Sequence, residues 1–126
     1  MKYLAPLLVI FSLTAALAHD MDPGHDDWYR SLMMPDFPTT PCCGIADAYW
    51  ADEVHIKDGK TFVVITDDRD DKPLNNRPHI PSGTVVEVPT KKLKWDRGNP
   101  TGHNVVFLAL IDSNPVVLCF VQGAGI

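Results

Sequence analysis

Basic residues are scarce in this chain. Eleven Lys and Arg stand against sixteen Asp and Glu, for a formal net charge of −5. That balance excludes generic nucleic-acid binding and attraction to anionic membranes, both of which need a basic surface. No phosphate-cradling glycine loop, G-x-S-x-G elbow, H-E-x-x-H or C-x-x-C is found. The chain therefore carries none of the usual sequence marks of nucleotide-binding proteins, serine hydrolases, zinc peptidases or dithiol redox proteins. After residue 18 no apolar run is long enough to span a bilayer. Cysteine is limited to Cys42, Cys43 and Cys119, and three thiols cannot all pair within one chain.

What is present begins with an export signal. Residues 1–18 read MKYLAPLLVIFSLTAALA. Lys2 makes a short positive start, Leu4 to Leu13 is an apolar stretch too short for a comfortable membrane span, and Ala16-Leu17-Ala18 supplies a cleavage site. The first mature residue is then His19. No cysteine follows the apolar run, so a lipid anchor there is not supported. The remainder fits one small domain, placed in the periplasm or outside the cell, where disulfides persist.

Residues 19–27, HDMDPGHDD, read as a flexible acidic leader, and residues 28–126 as a single disulfide-tied β domain. Trp28 to Met34 is predicted to form about two helical turns, capped by Asp26 or Asp27 and stopped by Pro35. Eleven prolines and eight glycines favour short elements joined by turns. Glu53–Lys57 alternates polar and apolar residues, Asp58-Gly59 follows, and Thr61–Thr66 is rich in β-branched residues, together a hairpin signal. Thr84–Val88 is a third strand. Asn104–Ile111 and Val116–Gln122 are so evenly apolar that they should be buried on both faces. Pro89 to Trp95 reads as a turn or short helix. The expected fold is mainly β: a small five-stranded antiparallel meander or partly closed barrel with a short N-terminal helix.

Asp27-Trp28-Tyr29 and Leu32, Pro41-Cys42-Cys43, Ala46-Asp47, Val88-Pro89, Asn99-Pro100, Gly102 and Cys119-Phe120 follow one another along the chain. Over most of its length after residue 18 the chain thereby resembles a group of small exported proteins of alphaproteobacteria. The resemblance implies secretion and a compact domain, and no reaction. Some of the proteins it resembles carry a further cysteine after the residue matching Asp47. This chain has Ala48 there, which leaves the thiol count odd.

A vicinal Cys42–Cys43 bridge strains the backbone, because disulfide geometry wants Cα atoms further apart than neighbours lie. A bridge from Cys119 to Cys43 or Cys42 is the alternative. It closes a loop of about 77 residues and is worth on the order of 4.5 kcal/mol in the chain-entropy model. The remaining thiol then has three readings: a buried apolar group, a disulfide-linked dimer, or a reactive or metal-binding thiolate with His55, His79 or His103 as base.

Three further groups are candidates for binding. Cleavage would give His19 an α-amine beside its imidazole, and with His25 and the surrounding acids it could hold copper or zinc. The run Asp67-Asp68-Arg69-Asp70-Asp71-Lys72 could hold calcium, or be a solvated loop partly neutralised by Arg69 and Lys72. Lys91, Lys92, Lys94 and Arg97 around Trp95 form a candidate partner surface for a cell-envelope glycan or protein. The function expected from these features is non-catalytic binding or structural work in the cell envelope. Copper or zinc binding through His19 is the runner-up, and catalysis ranks third.

Overall fold

The computed structural model describes residues 19–123, and the expected signal peptide at 1–18 lies outside them. Seven strands follow one short helix, α1 (Asp26–Ser31): β1 (Asp47–Trp50), β2 (Glu53–Lys57), β3 (Lys60–Val64), β4 (Val85–Val88), β5 (Leu93–Trp95), β6 (Val105–Ile111) and β7 (Asn114–Gln122). They form two sheets, ordered β1-β6-β7-β5 and β2-β3-β4. The mainly β expectation holds. The single five-stranded meander and the near-closed barrel do not: a meander exists only in the three-stranded sheet, and no barrel closes among the described residues.

The reason lies in β6 and β7. Val105, Phe107 and Ala109 pack into one core, with Tyr29, Leu32, Met34 and Cys42 of the N-terminal segment. Val106 and Leu108, on the opposite face, pack into a second core with Val63, Val86 and Val88 of the smaller sheet and with Ile65 just after β3. A sheet apolar on both faces needs a layer on each. The helix and loop before β1 cover one face and the small sheet covers the other. A bulge in the β6–β7 register at Phe107/Leu108 leaves Leu118 as an extra residue in β7. Leu118 and Cys119 thus both join the first core, while Val117 and Phe120 join the second.

The two hairpin turns follow from their sequences. Asp58 and Gly59 both have positive φ, 53° and 75°, as a two-residue turn matched to strand twist requires. The β6–β7 turn also uses two such residues, Asp112 and Ser113, so Asn114 and Pro115 belong to β7 instead of the connector. Pro115 is tolerated because β5 reaches only Phe120–Gln122, leaving β7 a single neighbour at Pro115. β5 runs parallel to β7 where a turn or helix is predicted; the helical part is confined to Thr90–Lys92. Gly123 is needed where it stands, since an added Cβ would lie 2.5 Å from the Asp96 carbonyl oxygen.

The N-terminal layer is held on by bonds that reach across the sequence. Cys42 pairs with Cys119, with Cα atoms 5.7 Å apart. The Cys42 amide donates to the Leu32 carbonyl at 3.0 Å, and the Trp28 indole donates to Asp96 at 2.8 Å. Helix α1 begins at Asp26 and ends at Ser31, earlier than predicted at both ends, because Leu32 turns extended to bury its side chain. Ahead of it, Asp22 caps a helical turn at Pro23–His25 by accepting from the Gly24 amide. Asp20 is buried. Within the 19–27 stretch, read from sequence as a flexible acidic leader, Asp20 is anchored by the buried Tyr29 hydroxyl, while Met21 to Gly24 and Asp27 are exposed.

Non-reducing peptide mapping is expected to give one Cys42–Cys119 link and one free thiol per chain. Cys43→Ala should retain the link. Reduction of the Cys43→Ala protein should lower unfolding stability by about 4.5 kcal/mol in urea titrations.

Candidate functional site

Among the described residues the outward edge of β1 has no strand beside it. Two side chains and one backbone amide satisfy it instead, the Trp50 carbonyl accepting from the Thr66 amide at 2.9 Å. The Trp50 amide donates to Asp67 Oδ2 at 3.0 Å, and the Ala48 carbonyl accepts from Arg77 Nη1 at 2.9 Å. Asp67 and Arg77 also bond each other at 2.8 Å, and both side chains are buried, at 0% and 2% exposure. Arg69 closes on Asp67 through Nε at 3.0 Å and Nη2 at 2.7 Å. Arg77 Nε donates to Asp71 at 2.7 Å, and His79 meets the other oxygen of Asp71. Burial alone would raise the Asp67 carboxyl, but the hydrogen bonds from Arg69, Arg77 and the Trp50 amide outweigh it and hold it well below the usual carboxylate range. The run 67–72 is thus not simply a solvated loop. Its innermost carboxylate is buried, and the second neutralising cation is Arg77 rather than Lys72.

Arg69 lies 3.6 Å over the Trp50 ring, and His103 stacks on the same indole at 3.8 Å with planes 9° apart. Asp52 fixes His103 by accepting from Nδ1 at 2.6 Å and from the Asn104 amide at 2.8 Å. The loop before β6 is closed by Asn99, which donates to the His103 carbonyl and accepts from the Thr101 hydroxyl.

The N-terminal segment supplies the third side. Asp20 Oδ2 accepts from the Tyr29 hydroxyl at 3.1 Å and from His25 Nδ1 at 2.8 Å, while Oδ1 accepts from the Asp22 amide at 2.7 Å. Burial and then the Asp20 charge push the Tyr29 phenol well above its ordinary range, so Tyr29 remains a donor. Where these three segments meet, a cleft of about 260 Å³ opens, walled by Met21 and Trp50 and edged by Asp20, Asp22, His25, Arg69 and Thr101.

The predicted site residues are distributed differently from the sequence reading. His25 is engaged by Asp20 and Asp22, whereas His19 stacks on Tyr29 with centroids 4.5 Å apart and sets Nδ1 3.6 Å from Cys43 Sγ. Among the described residues no group of three or more His, Cys, Asp or Glu is placed to hold a metal. Cys43 is the free thiol. Its Sγ also reaches the Tyr29 carbonyl at 3.4 Å, and burial, with Asp47 nearby, pushes it up to about 12. That opposes a thiolate nucleophile. The bases considered for it are bound elsewhere: His55 to Glu53, His79 to Asp71 and His103 to Asp52.

The basic surface is largely spent on structure. Lys92 pairs with Asp36 at 2.8 Å and Lys94 donates to the Met33 carbonyl at 3.1 Å, together holding the 33–41 loop. Trp95, at 58% exposure, and Arg97 remain open. Sequence reasoning missed Tyr29, Trp50 and Arg77 as site builders, and offered Asp20 only as one of the acids around His19 and His25. Only Trp50 carried a signal, as a large aromatic beside a short β-prone stretch.

Asp67→Asn should cost about 3–5 kcal/mol at pH 7, because it leaves Arg77 buried and underpaired. Asp67 titrates lower in the folded chain than in the unfolded one. Its contribution is therefore complete at neutral pH and drains as pH falls below about 3.9; acid unfolding of Asp67→Asn should show a shallower pH dependence. Iodoacetamide at pH 8 should leave the folded chain unmodified and add one group in urea, with the disulfide intact. Comparison with protein-family models, with curated proteins and with solved structures found no match, so what bears on function is the chemistry of this cleft.

Proposed function

We propose that this chain is an exported, non-catalytic binding module of the cell envelope, and that the Trp50 cleft is where it binds. The carrying observation is the cleft itself: Met21 and Trp50 line it beside the polar groups of Asp22 and Arg69, with Arg69 stacked on the indole and held there by its ion pair with Asp67. Its size, about 260 Å³, is just below the range of roughly 300–1,000 Å³ that takes drug-sized ligands. It suits one ring-sized group of a larger molecule. The neutral Cys43 thiol speaks against thiol catalysis. The Cys42–Cys119 disulfide fits an oxidising compartment, no described helix is long and apolar enough to cross a membrane, and the resemblance to small exported alphaproteobacterial proteins supports export.

Isolated cell-wall sacculi provide the test. The chain is expected to co-sediment with them, Met21→Glu at the exposed mouth to abolish this, and Trp95→Ala to leave it unchanged. Equal sedimentation of Met21→Glu and the parent would overturn the cleft as the site. Export is checked by N-terminal sequencing of periplasmic material, expected to begin at His19.

One observation favours the metal reading in altered form. The 3.6 Å between His19 Nδ1 and Cys43 Sγ is about the separation of an imidazole and a thiolate on one tetrahedral zinc. Cys43, not His25, is then the partner of His19, with the α-amine freed by cleavage as a third donor. Zinc titration of processed protein decides it: binding abolished by Cys43→Ser supports this reading, and binding unchanged by that substitution excludes it.

A further inference from the structure

We infer that the cleft takes a neutral, hydroxyl-bearing ring, a single sugar residue, in preference to a charged group; this rests on the binding reading above. The argument is one of free hydrogen-bonding capacity. A guanidinium has five N–H donors. Arg69 spends Nε and one Nη2 hydrogen on Asp67, and one Nη1 hydrogen on the His19 carbonyl, which leaves two. Asp20 is buried and already accepts three hydrogen bonds, one at Oδ1 and two at Oδ2. The Thr101 hydroxyl is turned to Asn99 and His103, so it contributes shape alone. Asp22 is different: Oδ1 accepts from the Gly24 amide, its side chain is 59% exposed, and Oδ2, 3.3 Å from His25 Nε2, retains accepting capacity.

Arg69 with two uncommitted N–H groups, the Asp22 carboxylate and the apolar Met21 and Trp50 side chains thus line one small space. A sugar ring matches all of them, because each hydroxyl both donates and accepts and the C–H face is apolar. Charged ligands match only in part. The positive charge of Arg69 is already met by Asp67 at 2.7 Å, so an anion gains little from it and meets the Asp22 carboxylate. A cation can pair with Asp22, but then lies against the Arg69 N–H groups. Size also counts: about 260 Å³ has room for one ring and leaves the rest of a chain outside.

The test uses the processed chain, ¹⁵N-labelled, titrated with four soluble probes: methyl glucoside, N-acetylglucosamine, glucuronate and glucosamine. Indole resonances of Trp28, Trp50 and Trp95 are followed. One or both neutral probes are expected to shift the Trp50 indole and leave Trp95 unmoved, with each charged probe weaker by roughly tenfold, the size of one charged mismatch. Asp22→Asn, which keeps the oxygen that caps Gly24, should weaken the neutral probes by several-fold and bring glucuronate level with them. A merely structural role for Asp22 would lower all four probes together. Glucuronate or glucosamine shifting Trp50 as strongly as the neutral probes would overturn the inference while leaving the cleft as a binding site. Silence from all four, together with no co-sedimentation on sacculi, would overturn both. Shifts confined to Trp95 would move binding to another surface and refute both as well.

Discussion

The buried ion pair between Asp67 and Arg77 is the constraint on which the rest of the structure depends. Strand β1 lies at the edge of the main sheet, and an unpaired edge is both a desolvation cost and a site for unwanted strand pairing. Asp67 and Arg77 stand in for the missing strand. One accepts from the Trp50 amide, and the other donates to the Ala48 carbonyl. The pair also sets the position of Arg69, which shares Asp67, and through Arg69 the stack on Trp50. A buried ion pair of this kind adds little net stability over an apolar replacement. What it supplies here is a fixed edge and a fixed floor for the cleft.

The second organising element is the cover over the first core. The segment from His19 to Ala46 has little regular structure of its own, and a six-residue helix is not stable alone. It stays in place because Tyr29, Leu32, Met34 and Cys42 bury against β6 and β7, and because the Cys42–Cys119 bridge closes the connection covalently. Asp20 and Tyr29 then extend that packing to the rim of the cleft, and His25 and Asp22 follow from Asp20. Core packing and site geometry are therefore one network on this side of the molecule. Loosening the disulfide would loosen the rim.

Much of the sheet was legible in the chain. β2, β3, β4, β6 and β7 announce themselves by alternation, β-branched runs and the Asp58-Gly59 turn, all local signals. β1 and β5 were not legible. Asp47–Trp50 is four residues without clear alternation, and its strand character comes from pairing with β6, more than 50 residues on. Leu93–Trp95 is three residues, and its parallel pairing with β7 has no local signature. Trp95 drew attention as a binding aromatic because lysines surround it, yet two of those lysines serve the 33–41 loop. Trp50, with its neighbours scattered over residues 20, 69, 101 and 103, gave no comparable cluster in sequence.

Composition and local pattern by themselves determined the acidic character, the mainly β class, five of the seven strands and the tie from the Cys42/Cys43 corner to Cys119. These depend on residue type, short-range periodicity and thiol count, which need no knowledge of distant contacts. Tertiary structure alone decided that two sheets form instead of one, that Cys42 and not Cys43 takes the bridge, that Arg77 is buried, and that Trp50 lines a cleft while Trp95 stands exposed. Each of these depends on which side chains meet across long sequence separations. Neighbouring cysteines are equivalent to any local rule; the core that forms under Leu118 and Cys119 is what distinguishes them.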